Sequence, residues 1–224
     1  ITYNKHNKMN YLDFYSKSIN YPDAFWKEQA KTIKWFKEPT KIVSSDDQKY
    51  PAWFEDGELN ACYLALDKHI EDGFGDEIAI IYDSPVTQQV KKFTYNEVKF
   101  EVAKLAGGLQ SLGLTKGDTA IIYMPMIPKA LFSMLACARI GVTHSVVFGG
   151  FAPNELAIRI DDCKPKVILT ASSGIEIDRL IAYKPFVDEA IKIANHIPQN
   201  VIVFKLKLGA RVPFKRYVID YDAL

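Results

Sequence analysis

The stretch KGDTAIIYMPMIPKALFSMLACARIGVTHSVVFGGF, residues 116–151, decides the fold. Lys116-Gly-Asp118 turns into a strand at Thr119–Tyr123. A helix over Pro128–Ile140 closes at Gly141, where a residue free to take positive φ ends helices well. A second strand, Val142–Phe148, then runs into Gly149-Gly150. The same alternation continues outward. Asn154–Asp162 reads as a helix, Lys166–Thr170 as a strand, Ala171–Gly174 as a loop, Pro185–His196 as a helix and Val201–Phe204 as a strand. Helices and apolar strands taking turns in this way predict an α/β fold, a partly parallel, layered sheet with flanking helices. From Lys205 to the last residue the pattern shows no clear element.

Upstream, Asn60–Ile70 reads as a helix ended by Gly73 and Gly75. Glu77–Tyr82 and Val90–Phe93 read as the strands of a hairpin. Thr94-Tyr-Asn-Glu97 is a capping box, followed by a helix with Val98, Val102, Leu105, Leu109 and Leu112 on one face. The first fifty residues predict a helical N-terminal extension. Its helices are Tyr11–Ile19 and Asp23–Phe36, with Asp23 as N-cap, and a polar loop follows over Pro39–Tyr50.

Composition narrows the function. The chain has 224 residues, 48% hydrophobic and 25% charged, with a formal net charge of +1. That is a globular composition, and the near-balance of charge argues against a nucleic-acid partner. No apolar run is long enough to span a membrane. Cys62, Cys137 and Cys163 are too far apart for a metal site or a secreted disulfide framework, which points to a reduced, intracellular setting. The cytoplasm is the expected compartment, with the mitochondrial matrix as the alternative. The chain opens on Ile1 rather than Met, which suggests a piece of a longer protein.

Chemistry concentrates at two loops. Phe148-Gly149-Gly150-Phe151 lies where a strand gives way to a helix, at the sheet edge where open α/β folds bind ligands. Paired glycines allow close backbone approach, and a helix N-terminus favours an anion. The same residues also suit a plain strand-exit turn. Ala171-Ser-Ser-Gly174 lines the same edge, and Arg179 could bind a phosphate or be a solvated surface residue. His144, Met124, Met126 and the cysteines read as packing or structural residues, and Asp161-Asp162 as a solvated pair. Neither G-x-x-x-x-G-K-[ST] nor G-x-G-x-x-G is present.

Several segments resemble AMP-forming short-chain acyl-CoA synthetases, the propionate–CoA ligase and acetyl-CoA synthetase family of adenylate-forming enzymes. They are Trp53-Phe-Glu-Asp-Gly-Glu-Leu-Asn60, Leu66-Asp-Lys-His69, Tyr123-Met-Pro-Met-Ile-Pro128, Met134–Gly141, and His144–Phe151 with Arg159-Ile-Asp-Asp162. Ile81–Thr87, Gly174-Ile-Glu176 and Tyr183-Lys-Pro185 look more like the propionate branch. Where the acetate branch carries a second Arg, this chain has Glu176.

The resemblance implies residues 1–68 as the family's N-terminal extension and 69–224 as the first, incomplete part of the AMP-binding domain. It implies a ligase using CoA, ATP and Mg²⁺. The carboxylate is first adenylated, and the CoA thiol then displaces AMP. Phe148, Gly149, Gly150 and Arg179 match positions that contact CoA. No catalytic residue and no metal ligand falls in this segment, because the family's phosphate loop, acyl pocket and adenylation Lys lie downstream. The isolated chain is therefore expected to be inactive, with small-molecule substrates as its partners. The alternatives are a stand-alone CoA- or nucleotide-binding module and a non-functional fragment.

Overall fold

A computed structural model describes residues 10–44, 50–176, 179–206 and 218–221. The chain divides into two compact units, Ile1–Asn60 and Ala61–Leu224.

In the first unit, Asn10 caps α1 (Tyr11–Asn20) by accepting the Asp13 amide at 2.9 Å. The second helix, α2, spans Pro22–Ala30 rather than Asp23–Phe36. Proline takes its first position, so Tyr21 flanks the helix and Asp23 lies inside the first turn, where its charge complements the helix dipole. At the other end the Thr32 and Ile33 amides bond to the Gln29 and Ala30 carbonyls, a tightened final turn. The Trp35 indole also donates to the Ala30 carbonyl at 2.9 Å. Phe36 is left 62% exposed. A chain of aromatic contacts packs this unit: Phe14–Phe25 at 4.7 Å, Phe25–Trp26 at 5.0 Å and Trp26–Trp53 at 5.7 Å between ring centroids.

The second unit opens with two π-helical stretches, Tyr63–Asp67 and Ile70–Phe74, the latter ending where Gly73 takes φ +91°. Strands β1 (Ile78–Ser84) and β2 (Gln89–Thr94) form the expected antiparallel hairpin. The capping box is present in both directions. Thr94 Oγ1 accepts the Glu97 amide at 3.2 Å, and Glu97 Oε2 accepts the Thr94 amide at 2.8 Å. It starts α3 (Tyr95–Ser111), which buries Val98, Val102, Leu105 and Leu109.

The α/β body follows as β3 (Thr119–Tyr123), α4 (Pro128–Arg139), β4 (Thr143–Val146), α5 (Pro153–Cys163) and β5 (Val167–Ala171). After it come β6 (Gly174–Glu176), β7 (Arg179–Ile181), α6 (Tyr183–Ile193), β8 (Asn200–Phe204) and β9 (Val218–Asp220). The main sheet has the order β4-β3-β5-β8-β9, every pair parallel. Successive residues point to opposite faces. Ala120, Ile122, Leu169 and Ile202 pack with α3 and α4, while Ile121, Tyr123, Ile168, Val201 and Val203 pack with α5 and α6. Burial on both faces explains why the central strands are continuously apolar.

Several elements differ from expectation. The segment after β5 is the short hairpin β6–β7, and the region after Lys205 supplies edge strand β9; residues 207–217 and 222–224 lie outside the described residues. Helix α6 stops at Ile193, short of His196. The Asp161 carboxylate accepts the Asn195 and His196 amides at 2.8 Å each and draws the chain away from the helix. Asp161 thus keeps its contact with solvent and also staples α5 to the α6 exit, while Asp162 is exposed as expected. These bonds, the His196 amide first, hold its carboxyl below the usual range.

Candidate ligand-binding crevice

The sheet order positions the site. From β3 the chain leaves through α4 toward β4; from β5 it leaves toward β8 through α6, on the opposite face. Neighbouring strands whose exits diverge open a crevice at their C-terminal ends. That switch point lies at Tyr123-Met-Pro125 and Ala171–Gly174, next to the β4 exit turn at 148–151.

Tyr123, fully buried at the end of β3, ties this edge together. Its hydroxyl lies 3.2 Å from the Gly149 carbonyl and 2.9 Å from that of Phe151, so one proton is shared between two acceptors. Its own carbonyl accepts Thr170 Oγ1 at 2.6 Å. The Phe151 amide closes the turn on the Phe148 carbonyl at 3.1 Å. Tyr183, the first residue of α6, packs its ring 5.2 Å from that of Tyr123.

The two glycines of the turn have different roles. A Cβ on Gly149 would collide with Tyr183 Oη and stand 2.7 Å from Cε1. The three atoms nearest a Cβ on Gly150 all belong to the ring of Phe148, the first at 2.7 Å. Phe148 is 70% exposed and lies edge-on to Phe151, whose face carries the Arg159 guanidinium at 5.3 Å. The turn therefore offers an exposed aromatic ring and an open backbone beside a cation.

Arg179 opens β7, exposed and in register with Glu176 across the hairpin. No contact among the described residues joins it to the glycine turn. Phe148, Gly149 and Gly150 are together by sequence, while Arg179 is carried on the hairpin that leaves the neighbouring strand.

Other side chains behave mostly as packing. Burial pushes the Cys137 thiol up to about 12 and raises Cys62 as well, which makes both poor nucleophiles. Burial also pushes the His144 imidazole down. Met124 is buried as expected, but Met126 is 90% exposed and packs little. Among the described residues, no three His, Cys, Asp or Glu side chains gather as metal ligands would.

Tyr123 and Tyr183 are the residues that reading the motifs missed as parts of this edge. Tyr123 carried one signal, a polar-tipped aromatic closing an apolar strand, which needs a partner for its hydroxyl when buried.

Residues 68–210 match the AMP-binding enzyme family, and residues 11–65 match the acetyl-coenzyme A synthetase N-terminus. The chain belongs to the AMP-binding enzyme family.

Its relatives in that family agree. The human protein named acyl-CoA synthetase short-chain family member 3, mitochondrial, is 52% identical over 203 residues, covering 91% of this chain and 30% of that protein. The acetyl-coenzyme A synthetase of Pseudoalteromonas atlantica is 44% identical over 201 residues, covering 87% of this chain and 31% of its own. The fold is similar to that of acetoacetyl-CoA synthetase from Streptomyces lividans, with a TM-score of 0.85 at 24% identity over 96% of this chain and 32% of that one. The chain thus spans about 30% of the length of these relatives. No helix among the described residues is long and apolar enough to cross a membrane.

Proposed function

We propose that this chain is the N-terminal share of an AMP-forming short-chain carboxylate–CoA ligase and that its crevice contributes part of the CoA site. The observation that carries the reading is the tandem of matches, the acetyl-coenzyme A synthetase N-terminus over 11–65 and the AMP-binding enzyme over 68–210. Residues 1–68 then form the extension and 69–224 the first part of the AMP-binding domain.

At this edge, Phe148 offers a surface for a flat ring and the exposed backbone at Gly150 a path for a chain of phosphates, with Gly149 buried against Tyr183 behind it. Arg179 supplies a cation for charge-assisted hydrogen bonds. These residues fit CoA, which is large, anionic and bound from the surface. ATP and Mg²⁺ belong to the reaction as the family implies it, and their sites are assigned outside this chain. Propionate is the proposed acid. It is supported by the segments at 81–87, 174–176 and 183–185 and by the higher identity to short-chain family member 3 than to acetyl-coenzyme A synthetase.

The test is ATP–pyrophosphate exchange, with propionate or acetate, by the purified chain. The expected result is no carboxylate-dependent exchange, because no residue for adenylation is assigned to it. Exchange above the no-carboxylate control overturns this division of labour.

A further inference from the structure

We infer that Tyr183 is a positioning residue for the crevice, filling the space of the missing Gly149 side chain and so setting where the 148–151 turn presents its backbone. This rests on the CoA reading above and adds a residue that acts on the ligand only through the turn.

Two glycines clasp opposite edges of the Tyr183 ring. A Cβ on Gly149 would run into Oη and stand 2.7 and 2.8 Å from Cε1 and Cζ; a Cβ on Gly174 would stand 2.7 Å from Cε2 and 3.0 Å from Pro125. Neither glycine has positive φ. Any L-residue could adopt these backbones, so it is space, not conformation, that excludes a side chain.

The ring has a firm base. Lys184, with its side chain fully buried, is paired to Asp188 at 2.6 Å one helical turn on, and Val187 and Ala190 of the same helix are buried in the core. On the turn's side, the Tyr123 hydroxyl holds the Gly149 and Phe151 carbonyls. The turn is therefore held by one tyrosine through its carbonyls and braced by the other through its bare α-carbon. The open face left for a ligand is Gly150 with Phe148.

Amide hydrogen exchange at 148–152 tests this, with residues 98–109 of α3, buried in the core on the other face of the sheet, as internal reference. Tyr183→Leu is expected to speed exchange in the turn about tenfold while α3 is unchanged. Tyr183→Phe, which keeps the ring and folds more safely, is expected to give about threefold. Gly149→Ala should speed turn exchange about tenfold in the wild-type background but add less than about threefold in the Tyr183→Leu background. With CoA as probe, Tyr183→Leu should weaken binding about tenfold.

Equal effects of Gly149→Ala in both backgrounds, or turn exchange unchanged by both Tyr183 variants, overturn the inference. So does unchanged CoA affinity in Tyr183→Leu when the wild type binds. A wild-type chain that binds no CoA at millimolar concentration instead overturns the ligand reading on which the inference rests.

Discussion

At the scale of single residues, the edge of the sheet is organised by a few buried polar groups. Lys184 is the most demanding of them. Its side chain is 0% exposed while that of Asp188 is 17% exposed, so one member of the ion pair keeps some water and the other has none. Removing one partner of a buried pair leaves the other uncompensated. Lys184→Ala is expected to cost about 3 kcal/mol, the lower end for such pairs because Asp188 is partly wet. Lys184→Met, which keeps the buried stem, should cost less. Urea unfolding of both variants checks this, and a Lys184→Ala midpoint equal to wild type would contradict it. Part of this sheet edge is legible at this scale, since the turn at 148–151 and the segment 171–174 both leave the C-terminal ends of strands that neighbour β3. Gly149-Gly150 and Arg179 stand out as residue types that suit a phosphate-bearing ligand. Tyr183 does not, because its contact with Gly149 joins residues far apart in the chain, and only the packed α6 brings the two together.

At the scale of elements, local chemistry decides where pieces start and stop. The Thr94–Glu97 capping box and the central apolar strands could be read directly, since each is written in contiguous residues. The β6–β7 hairpin could not, because three-residue strands give no alternation to detect. Strand β9 could not either, because it exists by pairing with β8 across a long connection. The end of α2 is not written in its sequence, because Ile33 and Phe36 continue its apolar spacing while the Trp35 indole and a tightened turn stop it.

A comparable staple fixes the loop of the first unit. The Asp56 carboxylate accepts the Thr40 hydroxyl at 2.5 Å and the Thr40 and Lys41 amides at 3.1 Å, which lowers its pKa to about 2. A carboxyl depressed by folding favours the folded state above its unfolded pKa, about 3.9. That contribution is lost as pH falls through the folded value. The stabilisation from this tie is thus expected to be full above about pH 4 and to be lost between about pH 4 and 2, the hydrogen bonds themselves lasting in the folded chain until the carboxyl protonates near 2. Titration of the Asp56 carboxyl carbon by NMR should show a midpoint near 2, moving up in Thr40→Val. A wild-type midpoint at the ordinary aspartate value would refute the staple.

At the scale of the molecule, each unit leaves apolar surface uncovered. In the first, Tyr11, Leu12 and Ile19 of α1 are 75%, 72% and 61% exposed. In the second, Ile81 and Val90 of the β1–β2 hairpin are both 62% exposed.

The most direct test of the central claim is calorimetric titration of CoA into the purified chain and into its Arg179→Ala variant. Arg179 is exposed and its replacement should leave folding unchanged. The account predicts weak binding, with a Kd on the order of 1 mM. It predicts a further loss of about tenfold in Arg179→Ala, the worth of one charge-assisted hydrogen bond. No binding heat at several times that concentration, or equal affinity in a folded Arg179→Ala, would contradict it.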